Sequence, residues 1–173
     1  MISICILGNS GSGKSTLARW LAASANVHSL DLDSVAWESD RPAVPRPEPS
    51  ARADVAAFCA DRESWVVEGC YANLIEAALP FGPLLVFLNP GREQCLANCR
   101  NRPWEPHKYA SRQEQDANLA FLLSWVAEYD TREGPMSLAA HRELFAGYAG
   151  RKVELLRLPR LDLPEPEVLA LLR

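Results

Sequence analysis

The chain has 173 residues, of which 48% are hydrophobic and 23% are charged, and its formal net charge is -4 at pH 7. This length and composition predict one globular domain with a sizeable core, and the acidic balance argues against nucleic acid as the main partner. The sequence contains no apolar run long enough to span a membrane, no leader before its first apolar segment and an odd number of cysteines, so we expect a cytoplasmic protein.

A phosphate-binding pattern follows the first apolar segment. Residues 2–7 predict a buried strand, which leads into Gly-x-x-x-x-Gly-Lys-Ser at residues 8–15. Glycines at these positions let the backbone approach an anion, and free N–H groups surround it where the next helix begins. Lys14 is expected to reach the β- and γ-phosphates of ATP, and the Ser15 hydroxyl to bind Mg²⁺. The predicted nucleotide-binding residues are Gly8, Ser10, Gly11, Ser12, Gly13, Lys14, Ser15 and Thr16.

Two carboxylates close the second apolar segment. Residues 28–33 predict a short strand in which Asp31 and Asp33 point to the same side. Beside a P-loop that side faces the substrate, where a carboxylate would orient or deprotonate an acceptor hydroxyl. The alternative interpretation is a solvated Asp-x-Asp turn.

Residues 33–64 predict an excursion between two core strands, on the acceptor side of the site. Within it, residues 41–49 hold four prolines, which favour a stiff, extended connection. Ser50 then caps a predicted helix at 51–61.

An acidic residue also ends the third predicted strand, at residues 65–68. Glu68 would hold a magnesium-bound water there, and Gly69 would let a substrate approach the backbone. The alternative is that this carboxylate caps the following helix. Trp37 and Tyr71 are expected to select the acceptor, although core packing is an equal interpretation of both.

The second half of the chain continues the alternation of strands and helices. Residues 84–88 form a continuous apolar run, which predicts a buried parallel strand. The other predicted elements are helix 92–102, a loop at 103–109, helices 112–129 and 137–148, strand 153–158 and a helix opened by Pro164. This order predicts a three-layer α/β/α fold with a five-stranded parallel sheet and ligands at the carboxyl ends of its strands.

Cys95 and Cys99 lie one helical turn apart, and His107 follows them. A zinc site is one interpretation of this group. The chain contains no Cys-x-x-Cys pair, however, and the same spacing indicates a buried helix face.

Together these motifs resemble those of the small P-loop kinases of the adenylate kinase and shikimate kinase group. More narrowly, they are similar to the bacterial DNA topology modulation or adenylate kinase-like proteins. The resemblance rests on Gly8 to Ser15, Leu32-Asp33 with Trp37, residues 65–69 with Tyr71, and residues 84–88. It implies one P-loop kinase-like domain over residues 1–173, with a helical lid at about residues 100–118.

The resemblance also implies roles for residues in the lid and at the strand ends. In that group the lid supplies arginines to the phosphates, which implies catalytic roles for Arg100 and Arg102, with Lys108 and Arg112 as further candidates. The second-strand aspartate faces the acceptor, which implies that role for Asp33. The arginine that follows the third strand in adenylate kinases and the Gly-Gly-Gly of shikimate kinases are both absent, so the acceptor stays open.

The leading hypothesis is an ATP- and Mg²⁺-dependent phosphotransferase, monomeric or homodimeric, that acts on a small hydroxyl- or phosphate-bearing acceptor such as a nucleoside, a nucleotide or another metabolite. Its predicted catalytic residues are Lys14, Asp33, Arg100 and Arg102, its substrate contacts are Asp31, Asp33, Trp37, Glu68, Gly69 and Tyr71, and its metal ligands are Ser15 and Glu68. The alternative is a regulatory ATPase that acts through a macromolecular partner. A GTPase is disfavoured because the sequence contains no Asn-Lys-x-Asp motif.

Overall fold

The computed structural model describes residues 1–38, 44–106, 109–164 and 166–172. Five strands form one parallel sheet in the order β2-β3-β1-β4-β5. The strands are Ser3–Leu7 (β1), His28–Asp31 (β2), Trp65–Gly69 (β3), Leu84–Leu88 (β4) and Lys152–Leu155 (β5). The helices are Lys14–Ala25 (α1), Asp33–Ala36 (α2), Glu48–Ala60 (α3), Ala72–Ala78 (α4), Arg92–Arg100 (α5), Arg112–Ala127 (α6), Leu138–Gly147 (α7) and Pro166–Ala170 (α8), with 3₁₀ turns at Leu79–Phe81 and Glu128–Asp130.

Helices cover both faces of the sheet. The three inner strands β1, β3 and β4 are apolar and buried almost throughout, as a parallel sheet between two helical layers requires. One face packs against Leu17 and Leu21 of α1, and the other packs against α3, α4 and α7 through residues such as Val55 and Ile75. The predicted three-layer α/β/α fold with five parallel strands is therefore confirmed.

A third apolar cluster joins α5 to α6. Cys95, Leu96, Cys99 and Val126 are its buried members, so the spacing of the two cysteines is that of a buried helix face. His107, the third residue of the possible zinc group, lies outside the described residues. None of the helices in the described part of the chain combines the length and hydropathy needed to cross a membrane.

Several predicted ends of strands and helices were wrong. β2 stops at Asp31 instead of residue 33, because the Asp31 carboxylate accepts the backbone N–H of Asp33 at 2.9 Å and starts a turn. Helix α3 begins three residues early, at Glu48, since Pro49 is tolerated in the first turn of a helix. Helix α5 ends at Arg100, short of the predicted residue 102. Residues 41–43 of the proline-rich segment are outside the described part of the chain.

The close packing of β1 against β4 gives a stability prediction. A β-carbon at Gly8 would overlap the carbonyl oxygen of Leu88, whereas one at Gly147, the last residue of α7, would meet nothing within 4 Å. Gly8→Ala should therefore lower the free energy of unfolding by about 1–3 kcal/mol, while Gly147→Ala should leave it unchanged or raise it by up to about 1 kcal/mol. Urea denaturation measures both, and equal stability of the two variants would contradict the packing at Gly8.

Candidate active site

A cleft of about 610 Å³ opens at the carboxyl ends of β1, β2 and β3. This edge is where parallel α/β sheets bind ligands. The P-loop and α1 contribute Ser10, Gly11, Gly13, Lys14, Ser15, Thr16 and Arg19 to its lining, and the ends of β2 and β3 with the residues just after them contribute Asp31, Asp33, Glu68, Gly69 and Cys70. Helices α5 and α6 and the loop between them contribute Asn98, Arg102, Pro103, Trp104, Glu105, Pro106, Tyr109 and Leu122, and the segment after β5 contributes Leu158. The cleft therefore brings together most of the residues that the sequence predicted for a phosphotransfer site.

Residues 8–15 have the strand–loop–helix geometry predicted from the sequence. Gly11 and Gly13 have φ angles of +79° and +98°, which side chains with a β-carbon rarely adopt. A β-carbon at Gly11 would also overlap the carbonyl oxygen of Cys95 in α5. The loop is further tied to α5 because the Asn98 side chain donates a hydrogen bond to the Gly11 carbonyl at 2.7 Å.

The Lys14 ammonium is buried at the centre of this arrangement. The residue is only 7% exposed, and its Nζ donates to the carbonyl oxygen of Asn9 at 2.9 Å. The Ser12 hydroxyl is also buried and has no hydrogen-bond partner within the described residues. A buried cation above such a loop is suited to a phosphate, because a charged ligand would compensate the desolvated ammonium.

Glu68 and Ser15 form the part of the site that fits a magnesium ion. Glu68 is 4% exposed and lies in register with Asp31 on the neighbouring strand. Burial raises the pKa of Glu68 and the two aspartates add to that effect, whereas Lys14 and a hydrogen bond from the Ser15 hydroxyl oppose it. A hard divalent cation prefers such oxygen ligands and would stabilise the ionised carboxylate, so the two side chains fit the ion.

Trp37 and Tyr71 lie behind Asp33 and are not among the described residues that line the cleft. The Tyr71 hydroxyl donates to Asp33 Oδ1 at 2.8 Å, and the Trp37 indole N–H donates to the Tyr71 oxygen at 2.8 Å. Burial raises the pKa of Tyr71, so the phenol stays neutral and keeps its proton. These two hydrogen bonds hold the Asp33 carboxylate, and the direct contact of Trp37 and Tyr71 with the acceptor stays a prediction.

The two predicted lid arginines have different positions. Arg102 lines the cleft and forms an ion pair with Glu105 at 3.0 Å, whereas Arg100 is exposed and is not among the described lining residues. Gln115 fixes the loop beside Arg102, because its side chain accepts the Glu105 N–H and donates to the Pro103 carbonyl. Lys108 is outside the described residues, and Arg112 pairs with Asp116 on the surface of α6.

Arg132 was missed by the sequence analysis. Its guanidinium lies 3.6 Å from the ring centre of Trp125, and Nη2 lies 3.5 Å from Asn9 Oδ1 at the start of the P-loop. Nε and Nη1 are buried and have no hydrogen-bond partner within the described residues. Burial lowers the pKa of Arg132. Burial also raises the pKa of Cys70 in the cleft wall to about 11, with Lys14 and Arg132 opposing the rise. Nothing in the sequence distinguishes this arginine from an ordinary charged loop residue.

A buried histidine supports the same wall and was also missed. His141 is fully buried in α7, and its Nε2 lies 2.8 Å from the carbonyl oxygen of Cys70. A carbonyl only accepts hydrogen bonds, so Nε2 carries the proton and Nδ1 accepts from the Tyr129 hydroxyl at 2.7 Å. Burial lowers the pKa of His141 to about 4, with Lys14 and Arg132 contributing and the bond to Cys70 opposing.

The neutral imidazole gives a pH prediction. The pKa of His141 is about 4 in the folded protein and near the ordinary 6.5 in an unfolded chain, so the unfolded state binds the proton first as pH falls. Its stabilising contribution is complete above about pH 6.5 and is lost as pH falls towards 4. The difference in unfolding free energy between wild type and His141→Gln should therefore shrink by on the order of 3 kcal/mol across that window. Urea denaturation at several pH values measures it, and a constant difference would contradict a neutral buried ring.

Comparison with known proteins gave matches only at the level of structure, since no protein-family profile and no curated protein sequence matches this chain. A gluconokinase from Sinorhizobium meliloti aligns over 99% of this chain and 91% of its own, with 20% identity and a TM-score of 0.60. A sugar kinase from a Janibacter species aligns over 99% and 90%, with 14% identity and a TM-score of 0.53. A shikimate kinase from Aquifex aeolicus aligns over 96% and 93%, with 20% identity and a TM-score of 0.51.

These identities are low, so the likeness concerns the fold. It agrees with the resemblance expected from the motifs, because gluconokinase and shikimate kinase are P-loop kinases. The chain therefore has the three-layer α/β/α fold of the P-loop kinases of the adenylate kinase and shikimate kinase group.

Proposed function

We propose that this chain is an ATP- and Mg²⁺-dependent kinase whose acceptor is a small metabolite that carries both a hydroxyl and an anionic group. The observation that carries the proposal is the convergence of a P-loop and an oriented aspartate in one cleft. A buried, incompletely paired arginine, Arg132, lies beside the P-loop at Asn9, although it is not among the described residues that line the cleft. The structures that share this fold include a gluconokinase, a sugar kinase and a shikimate kinase, which supports a small-molecule acceptor.

The P-loop would bind the phosphates of ATP. Backbone N–H groups of the loop and the N-terminus of α1 would surround the phosphate oxygens. The Lys14 ammonium would leave the Asn9 carbonyl and bind these oxygens instead. Ser15 and Glu68 would hold Mg²⁺, which when bound neutralises charge on the phosphates. Arg102 would turn from Glu105 towards the nucleotide, and Arg100 remains a prediction for the same task.

Asp33 would act on the acceptor hydroxyl. Its carboxylate is held by the Tyr71 hydroxyl at 2.8 Å, so it has a fixed direction before the acceptor arrives. As the acceptor oxygen bonds to the γ-phosphorus, the bond from that phosphorus to the ADP oxygen breaks, and the acceptor proton passes to Asp33. Asp31, Glu68 and Gly69 would line the same side of the acceptor.

Arg132 would bind the anionic group of the acceptor. It presents two buried N–H-bearing atoms without partners in the described structure, and its plane is fixed by stacking on Trp125. A guanidinium held in this way suits bidentate contact with a carboxylate or phosphate, and such contact would repay its desolvation. A neutral acceptor would leave those donors unpaired, as they are in the described structure, and would gain none of this compensation.

The domain assignment follows the same proposal. Residues 1–173 would form one kinase domain, with residues 33–64 on the acceptor side and residues 100–118 as the lid. The start of α6 and the Gln115 contacts lie within that lid, so the loop after α5 and the first turn of α6 would move together.

The function is tested by incubating the protein with Mg²⁺, ATP and a library of hydroxylated metabolites while ADP release is measured, with Lys14→Ala as the blank. We expect acceptor-dependent ADP release, and a phosphorylated product, from a member that bears a carboxylate or phosphate. ATP hydrolysis at one rate with every library member and with none would contradict the kinase and favour the regulatory ATPase.

The role of Arg132 predicts a selective loss of acceptor binding. Arg132→Gln should raise the KM for the acceptor about 10- to 100-fold, because charged hydrogen bonds are worth about 1.5–3 kcal/mol, while the affinity for ATP stays within about twofold. Arg62→Gln is a matched control, since Arg62 also stacks on an aromatic ring, that of Phe58, and donates to the Phe58 carbonyl at the end of α3. Equal acceptor kinetics in both variants would remove Arg132 from the acceptor site.

The role of Asp33 predicts that binding and chemistry can be separated. Asp33→Asn keeps the size of the side chain and an oxygen that accepts from Tyr71, but it takes up no proton. Transfer should fall by about 10²–10⁴-fold while nucleotide affinity hardly changes. Nucleotide titration beside turnover measures this, with the exposed, ion-paired Asp54→Asn as control. If ATP affinity falls in parallel with the rate, Asp33 serves the metal–nucleotide site instead.

A further inference from the structure

We propose that His141 is a positioning residue for the acceptor side of the site: its ring N–H fixes the Cys70 carbonyl and, through Tyr71, holds Asp33 in its working direction. The link to catalysis rests on the proposed function above. The claim that His141 positions Asp33 does not depend on the proposed function, because the hydrogen bonds that carry it can be observed without turnover.

The first contact joins α7 to the end of β3. His141 Nε2 donates to the Cys70 carbonyl at 2.8 Å, and Cys70 lies in the wall of the cleft directly before Tyr71. A second tether joins the same two regions, because the backbone N–H of Ala72 donates to the Pro135 carbonyl at 2.9 Å. The turn between β3 and α4 is therefore held from α7 and from the segment just before it.

The next contacts carry this constraint to Asp33. Tyr71 follows Cys70 in the chain and donates from its hydroxyl to Asp33 Oδ1 at 2.8 Å, and Trp37 donates to the same hydroxyl. The end of β3 also packs closely against the residue before Asp33, because the Leu32 N–H donates to the Glu68 carbonyl at 2.9 Å and a β-carbon at Gly69 would lie 2.7 Å from the Cβ of Leu32. Displacement of the Cys70 carbonyl is thus expected to reach the carboxylate.

Tyr129 fixes the tautomer of the His141 imidazole. Its hydroxyl donates to His141 Nδ1, which leaves the proton on Nε2, where the Cys70 carbonyl needs a donor. The ring stays neutral because burial lowers the pKa of His141, so no third cation is added near Arg132 and Lys14. The histidine therefore supplies one directed N–H without adding charge to a site that must bind anions.

A set of four variants tests this assignment. His141→Phe keeps an aromatic ring but removes the donor to Cys70, and His141→Gln restores an N–H donor. Tyr129→Phe removes the hydroxyl that fixes the tautomer of His141, so it weakens the bond from Nε2 to the Cys70 carbonyl without removing the imidazole. This variant replaces His141→Phe in the test if His141→Phe does not fold. Tyr148→Phe is the matched control, because this hydroxyl at the end of α7 donates to the Pro83 carbonyl near the amino end of β4.

The first measurement needs no activity. The indole N–H of Trp37 is assigned in an ¹H–¹⁵N spectrum by comparison with Trp37→Phe, and it reports on the hydroxyl of Tyr71. We expect this signal to shift in His141→Phe and Tyr129→Phe, to return towards its wild-type position in His141→Gln and to stay in place in Tyr148→Phe. A signal that stays in place in both His141→Phe and Tyr129→Phe, or that shifts as much in Tyr148→Phe, overturns the positioning role.

The second measurement uses an acceptor found in the library screen. His141→Phe should lose about 10- to 100-fold in kcat/KM for the acceptor, as expected when a reacting group is misplaced, while ATP affinity stays within about twofold. His141→Gln should recover part of that loss. Parallel losses of ATP affinity and acceptor kinetics would show general destabilisation and overturn the proposal. A wild type without transfer refutes the kinase proposal alone, and the Trp37 signal then decides the positional claim.

Discussion

The buried ammonium of Lys14 is the interaction on which the arrangement of this site depends. It sits above the P-loop on the Asn9 carbonyl, and its charge acts on Glu68, on Cys70 and on His141. The surrounding residues tolerate this charge: the carboxylates of Asp31 and Glu68 line the same cleft as Lys14, and the nearby histidine stays neutral. A cation desolvated in this way is prepared for an anionic ligand, because phosphate oxygens would replace a single carbonyl contact.

The acceptor side of the cleft depends on a segment that lies far away in the sequence. Tyr129, Arg132 and His141 follow α6, yet they reach back to the P-loop at Asn9 and to the end of β3 at Cys70. One short stretch therefore supports the turn that holds the aspartate, and in the proposed function it would also supply a charge for the acceptor.

The features that could be predicted from the sequence are those that short-range patterns of residues determine. The P-loop, the parallel sheet and the grouping of Asp33 with Glu68 follow from apolar runs, glycine spacing and the rule that parallel strands end at one edge. The exact end of β2 does not follow, because an aspartate can satisfy a backbone N–H and stop the ladder. Arg132 and His141 escape prediction since their meaning arises from contacts with Asn9 and Cys70, 123 and 71 residues away. Which of the two arginines, Arg100 or Arg102, lines the cleft likewise depends on where α5 ends.

The central claim is that the P-loop cradles the phosphates of ATP with their reactive end towards Asp33 and Arg132. A crystal structure with Mg²⁺ and a non-hydrolysable ATP analogue tests it most directly. The account predicts phosphates within residues 8–15, Lys14 Nζ moved from the Asn9 carbonyl to the β- and γ-phosphates, and the metal between Ser15 and Glu68. Phosphates bound elsewhere, with Lys14 still on Asn9, would contradict it.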